Sequence, residues 1–227
     1  MPRTSSFFPT LFCGEACDAR EVAELTRLAT PIRFDGGQTI FSEGDVARSA
    51  FGLSQGVVRL YRLLPDGRRQ VIAFALAGDF LAMPLGDRFT FSADAVGAVS
   101  VCRFPREELK RFIQANPGVM RLLIEFAASE LQSAQDQLTL LGNGSAEERV
   151  VAFLGNWRRR MARLMPVSQS IPLPMRRQDI ADFLGLKLET ISRTFARLEQ
   201  RNVIRIVPHG VVLTGPEHVE LAAGSGE

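Results

Sequence analysis

The chain has 227 residues, of which 46% are hydrophobic, and a net charge of +2. This composition excludes a chain that is disordered throughout, and no apolar run approaches the ~20 residues that a membrane helix needs. Positive charge is concentrated in residues 145–227, which hold 12 Lys and Arg against nine Asp and Glu. That balance favours contact with phosphate groups. The first 11 residues lack the layout of a signal peptide, which predicts a cytoplasmic protein.

The chain is predicted to begin with an irregular extension over residues 1–18. Asp18 followed by Glu21 is a reciprocal capping pair, and it predicts a helix over Ala19–Leu28 that stops ahead of a proline. This helix opens the first predicted domain, which covers residues 19–116.

The sequence pattern becomes typical of β-strands between residues 32 and 104, where short runs rich in Val, Phe and Leu are separated by Gly- and Asp-containing turns. Such runs, repeated about every 8–12 residues, predict seven or eight strands in a β-sandwich or jelly-roll barrel. Residues 64–68 are predicted to form a hairpin tip between strands at 57–63 and 70–74.

Helical periodicity begins at residue 106, with predicted helices at 106–115 and 117–141. The second carries an apolar seam in alternating steps of four and three. The seam residues are Met120, Ile124, Ala127, Leu131, Ala134, Leu138 and Leu141. This pattern is typical of a helix paired with a second copy, so residues 117–144 are predicted to be a dimerisation helix. The alternative is a helix packed on its own domain.

A second capping box, Ser145 with Glu148, predicts a helix over 146–163, and a short strand is predicted near 168–173. Residues 177–201 then form two short helices joined at Gly185. Their inner faces hold Ile180, Ala181, Leu184, Ile191, Phe195 and Leu198. This is helix-turn-helix spacing, and it places a DNA-binding domain at residues 145–227.

The outer face of the second helix carries Glu189, Ser192 and Arg193, and we predict that this triplet reads base edges in the major groove. An apolar hairpin after the helix predicts a wing. Predicted phosphate contacts are Lys187, Arg197, Arg201 and His209, the last at the tip of the wing. The alternative is a solvated charged face on an ordinary helical pair.

Three segments, LGLKLETISR (184–193), AEERVVAFL (146–154) and AGDF (77–80), resemble the CRP/FNR family of bacterial transcription regulators, most of all its FNR and FixK branch. The resemblance implies an α+β fold: an N-terminal β-barrel like a cyclic-nucleotide-binding jelly roll, a long dimerisation helix and a C-terminal winged helix-turn-helix. It implies a homodimeric activator, linked to oxygen limitation or redox control, that reads a TTGAT-N4-ATCAA-like palindrome. Contact with RNA polymerase is implied for Pro65, Asp66, Gly67 and Arg68. Thr194 departs from the family's larger apolar residue.

The resemblance also bears on ligands. Relatives that bind a cyclic nucleotide carry a Glu after the Gly-Asp-Phe turn and an Arg-Ser pair, where this chain has Ala82 and Phe91-Ser92. A buried phosphate without a cation would be uncompensated, so no cyclic nucleotide is expected. Where oxygen-gated relatives place a carboxylate in the dimer seam, this chain has Ala134. We therefore expect a FixK-like dimer that needs no ligand and is controlled by its abundance.

The cysteines leave an alternative open. The FNR branch binds an iron–sulfur cluster through three N-terminal cysteines and one in the barrel, and this chain offers Cys13, Cys17 and Cys102. A fourth ligand would have to come from Glu15 or Asp18. Haem held by a histidine is disfavoured because both histidines lie in the DNA-binding half, which leaves a Cys-ligated haem as the remaining form. No catalytic set is present, so the rivals from other classes are a thiol oxidoreductase and a ligand-binding signalling module.

Overall fold

The structure is a computed structural model that describes residues 7–13, 17–82, 86–164 and 170–214. The chain divides into two compact units, Met1–Gln132 and Ser133–Glu227. None of the described helices is both long enough and apolar enough to cross a membrane.

The first unit begins with two helices and continues with strands. In the described residues its elements are α1 Phe7–Cys13, α2 Ala19–Leu28, β1 Thr30–Phe34, β2 Thr39–Phe41, β3 Ser49–Gln55, β4 Val57–Leu63, β5 Arg69–Leu76, β6 Phe80–Ala82, β7 Ser92–Ala95, β8 Val99–Pro105, α3 Arg106–Ala115 and the start of α4 Pro117–Asn143. The expected strand number is confirmed. The capping box that predicts α2 is formed, since the amide of Glu21 donates to the Asp18 carboxylate at 2.7 Å.

The strands form two four-stranded antiparallel sheets, ordered β1-β8-β3-β6 and β2-β7-β4-β5. No ladder joins the two sheets among the described residues, so the unit is a jelly-roll sandwich and not a closed barrel. Alternation along β4 buries Val58 and Leu60 between the sheets and turns Arg59 and Tyr61 to the opposite face. Asp94 of β7 lies on that face and pairs with Arg59 at 2.9 Å.

The core between the sheets is largely aromatic and aliphatic. Phe41 stacks on Phe51, with ring centroids 5.5 Å apart, and on Phe89 at 4.1 Å. Aromatic pairs at such distances stabilise a core beyond the area that they bury.

A separate apolar cluster covers the other face of the β1-β8-β3-β6 sheet, where α1, α2 and α3 pack against Ala50, Cys102 and Phe104. The expectation of an irregular extension is wrong for Phe7–Cys13, which is helical. Phe8 of this helix is fully buried in the cluster. Tertiary packing of Phe8 and Phe12, rather than intrinsic propensity, explains why so short a segment is helical.

The second unit contains the end of α4 and the elements α5 Ala146–Ala162, β9 Ser170–Pro172, α6 Arg177–Leu184, α7 Leu188–Gln200, β10 Ile204–Val207 and β11 Gly210–Leu213. The strands form an antiparallel sheet in the order β10-β11-β9. The indole of Trp157 donates to the carbonyl of Pro172 at 2.8 Å, which fixes α5 against β9. The predicted helices here are confirmed, and α4 runs two residues beyond its predicted end.

Candidate nucleic-acid interface

The turn between α6 and α7 depends on Gly185, which adopts the left-handed conformation with φ of 62°. Its amide and that of Leu186 both donate to the carbonyl of Ala181, and this closes the end of α6. Glycine reaches this conformation without the strain that a side chain would add. Ala181 itself has no exposed surface, as a position where two helices cross closely requires.

The inner face of α7 is held by Ile191, Phe195 and Leu198, all buried. Thr194 is also buried, and its hydroxyl donates to the carbonyl of Thr190 at 2.8 Å. The smaller residue is therefore accommodated with its polar atom satisfied. The guanidinium of Arg177 lies 3.4 Å from the centroid of the Phe195 ring, a cation–π contact, and burial lowers the pKa of Arg177.

The outer face of α7 presents Glu189, Ser192 and Arg193 to solvent within its first two turns. Ser192 donates its hydroxyl to the carbonyl of Leu188 at 3.0 Å, so its oxygen stays available as an acceptor. Within the described part of the chain, neither Glu189 nor Arg193 has a side-chain partner. The three predicted base-reading residues thus share one exposed surface.

The predicted phosphate contacts occupy different environments. Lys187 precedes the first turn of α7, and Lys187 and Arg197 are both exposed. Arg201 caps the other end of the helix and forms an ion pair with Glu147 of α5, so its charge is partly compensated. His209 is exposed at the tip of the wing with φ of 62°, and its carbonyl accepts from the amide of Leu173 at 2.8 Å.

The β10–β11 hairpin, the predicted wing, is fixed to α7 and to β9. The amide of Ile206 donates to the carboxylate of Glu199 in α7 at 2.8 Å. A Cβ at Gly210 would lie 2.3 Å from the carbonyl oxygen of Ile171, so only glycine allows β11 to approach β9 so closely.

Within the described part of the chain, most of the seam of α4 is left exposed. Ile124, Leu131 and Leu138 are 62%, 61% and 70% exposed, Met120 is also exposed, and so are the smaller Ala127 and Ala134, whereas Leu141 is half-buried. Different residues, Val119 and Leu123, bury the start of α4 in the apolar cluster of its own unit. Exposed large apolar side chains in such a row indicate a binding surface.

Two family models match this chain, that of the cyclic nucleotide-binding domain over residues 31–116 and that of the Crp-like helix-turn-helix domain over residues 148–220. The transcriptional activatory protein AadR of Rhodopseudomonas palustris is 51% identical over 213 residues, covering 94% of this chain and 89% of its own. The nitrogen fixation regulation protein FixK of Bradyrhizobium diazoefficiens is 49% identical over 208 residues, covering 92% of this chain and 88% of its own.

The chain belongs to the CRP/FNR family of transcription regulators, in its FixK branch. The solved structure of FixK2 from Bradyrhizobium japonicum has a TM-score of 0.79 and 33% identity, and covers 88% of this chain and 99% of its own. The expected order of a cyclic-nucleotide-binding-like domain, a long helix and a C-terminal helix-turn-helix is confirmed. The family assigns the helix-turn-helix to DNA binding.

The hairpin that the CRP/FNR resemblance assigns to RNA polymerase is an ordered, exposed tip. The guanidinium of Arg68 donates to the Asp66 carboxylate at 2.7 Å, and the Arg68 amide donates to it at 3.0 Å. The hydrogen bond from the Arg68 amide lowers the pKa of Asp66 most, and the bond from the Arg68 guanidinium lowers it further. Gly67, with φ of 80°, lets the chain reverse between β4 and β5.

Of the three residues that the sequence analysis compared with cyclic-nucleotide-binding relatives, Ala82 and Phe91 are apolar and the third is Ser92. Ala82 is buried in the core between the sheets. Phe91 packs against that core, with its ring 5.9 Å from that of Phe41.

Within the described residues, the three cysteines do not gather into one group that could hold a metal ion. The thiol of Cys13 donates a hydrogen bond to the sulfur of Cys17, and burial raises the pKa of both. Cys102 lies 3.3 Å from the hydroxyl of Ser54, and burial raises its pKa also. Among the residues that the structure describes, no three His, Cys, Asp or Glu side chains lie close enough together to hold a metal ion. Glu15 lies outside the described residues.

Proposed function

We propose that this protein is a homodimeric transcription activator that reads a TTGAT-N4-ATCAA-like palindrome through Glu189, Ser192 and Arg193. The observation that carries the proposal is the exposed polar triplet on the first turns of α7, in a chain that also exposes an apolar seam along α4. One feature supplies base recognition, and the other supplies the two-fold repetition that a palindrome requires.

The chemistry of the triplet suits this half-site, which contains a single G·C pair. Arg193 can donate two hydrogen bonds to guanine, and Glu189 can accept one from cytosine. Ser192, with its free acceptor capacity, can approach an adjacent base or a thymine methyl group. Lys187, Arg197, Arg201 and the wing-tip His209 would then contact phosphates and set the register without specifying sequence.

Dimerisation through α4 is proposed to need no ligand. The seam contains no charged residue from Met120 to Leu141, so pairing two copies buries apolar surface without opposing like charges. Activity would then follow the amount of protein in the cytoplasm, under a signal linked to oxygen limitation or redox state. Contact with RNA polymerase would use the hairpin at residues 65–68.

The rival functions fit the side chains less well. A thiol oxidoreductase needs a thiol with a lowered pKa, whereas burial raises the pKa of Cys13 and Cys17. An iron–sulfur sensor needs more ligands than the described residues bring together. A cyclic-nucleotide module needs a buried cation for the phosphate, and the position that relatives give to Arg is Phe91.

The test is binding of the purified, metal-free protein to a labelled TTGAT-N4-ATCAA duplex, alongside sedimentation at low micromolar concentration. We expect a dimer that binds this duplex far more tightly than a scrambled one, with affinity that falls as salt is raised. A monomer at that concentration would contradict ligand-free dimerisation. Equal affinity for the scrambled duplex would contradict palindrome recognition.

A further inference from the structure

Arg149 joins three separate segments of the second unit through one guanidinium group. From the first turn of α5, its Nη2 donates to the carbonyl of Leu141 at 2.8 Å and its Nε to that of Gly144 at 2.9 Å. Its Nη1 donates to the carbonyl of Leu184 at 3.2 Å. The side chain therefore bonds the last turn of α4, the linker after it and the last residue of α6.

Two of these three carbonyls, those of Leu141 and Leu184, are of the kind that a cation stabilises. The last carbonyls of a helix have no partner within it, and the helix dipole places partial negative charge there. Two such helix ends converge on Arg149. The guanidinium is the side-chain group suited to this position, because its donors are spread over a rigid plane and can serve several acceptors at once.

A second side chain makes the same connection. The amide of Gln137, one turn before Leu141 in α4, donates to the carbonyl of Phe183 in α6 at 3.3 Å. Both side chains thus bond to the last two residues of α6, just before the left-handed Gly185, and α7 begins at Leu188. The hydrogen bonds from Gln137 and Arg149 therefore lie within a few residues of the point where the direction of α7 is set.

We propose that Arg149 is a positioning residue that fixes the reading helix to the end of the dimerisation helix, and so sets the half-site spacing that the dimer accepts. The inference rests on the proposed palindrome-binding dimer. Leu141 belongs to the seam, so a rigid link from its carbonyl to Leu184 ties each reading helix to the two-fold axis. Because half-sites on B-DNA are presented at fixed separation and rotation, a rigid link favours one spacing.

The test uses full-length wild type, R149K, Q137L and the control R159K, which changes an exposed arginine of the same helix. Lysine keeps the charge but has one compact ammonium group, which cannot serve all three carbonyls. Each protein is titrated by fluorescence anisotropy with palindromes whose spacers are three, four or five base pairs, and with a duplex that carries one half-site. Circular dichroism and sedimentation check fold and dimer.

Wild type and R159K are expected to prefer the four-base-pair spacer by roughly tenfold, the size of effect typical of one misfitted contact. R149K should reduce this preference to about twofold, and Q137L should reduce it less, while affinity for the single half-site stays near that of wild type. Wild-type spacer preference in folded, dimeric R149K and Q137L would overturn the inference. If wild type itself bound the three spacers equally well, the proposed function would be overturned, and the inference with it.

Discussion

Phe8 fills the space that Gly52 leaves by having no side chain: a Cβ at Gly52 would lie 2.3 Å from the Phe8 ring. Gly52 pairs with Cys102 across β3 and β8, and the amide of Phe8 donates to the Cys102 sulfur. Helix α1 is therefore docked on one cross-strand pair, by ring packing and by its backbone.

This contact predicts that G52A displaces Phe8 and destabilises the protein by about 1–3 kcal/mol, a typical cost of overpacking. G97A is the matched control, because a Cβ there meets no atom within 4 Å. The free energy of unfolding is measured with denaturant. The double variant F8A/G52A should lose less stability than the sum of the two single variants, because removing the Phe8 ring also removes the clash that the new Cβ makes. Full additivity would show that the two residues do not interact.

Arg193 should carry discrimination at the guanine of the half-site. We expect R193A to lose about 1–3 kcal/mol of binding free energy and to stop distinguishing G·C from A·T at that position. K110A, which removes an exposed positive charge from α3, controls for net charge. Anisotropy titrations with duplexes substituted at each half-site position provide the measurement. Unchanged base preference in R193A would remove Arg193 from the reading surface.

Arg197 should behave differently, because a phosphate contact positions without specifying. R197A is expected to weaken binding to every duplex by a similar factor and to lower the slope of log affinity against log salt by about one. Titrations at several salt concentrations measure both quantities. A change in base preference, with the salt slope intact, would assign Arg197 to base reading instead.

The seam predicts a way to separate folding from pairing. L131E places a charge on a side chain that is 61% exposed in the single chain, so the fold should persist. In a dimer the two carboxylates would face each other, and sedimentation should show a monomer that binds the palindrome weakly. S133E, exposed two residues along the helix, is the control and should stay dimeric. A dimeric L131E would place the interface elsewhere.

Burial of the thiols predicts a loss of stability at alkaline pH. An unfolded thiol ionises near pH 8.5, whereas the raised pKa of Cys13 keeps it protonated in the folded state. The unfolded chain then binds fewer protons, so the free energy of unfolding falls as pH rises above about 8.5. Denaturant unfolding between pH 8 and 10, under reducing conditions, should show a shallower decline in C13A. Equal slopes in the two proteins would contradict protonated burial of Cys13.

Local signals made much of this fold predictable. The capping boxes at Asp18 and Ser145 locate two helix starts to the residue, and the spacing around Gly185 gives the helix-turn-helix. Features that depend on distant partners were not predictable. Helix α1 is stabilised by packing on Gly52, and Arg149 reaches Leu184, which lies 35 residues further along the chain. Neither contact leaves a periodic trace in the sequence.

The exposed seam of α4 also has a consequence expected for the lifetime of the protein in the cell. At concentrations where the proposed dimer would dissociate, each copy would expose Ile124, Leu131 and Leu138 to water. Such surfaces are what chaperones and degradative proteases recognise in incompletely assembled proteins. The protein would then be degraded faster at low concentration than at high concentration. Its amount, and with it the proposed activity, would change more sharply than its rate of synthesis.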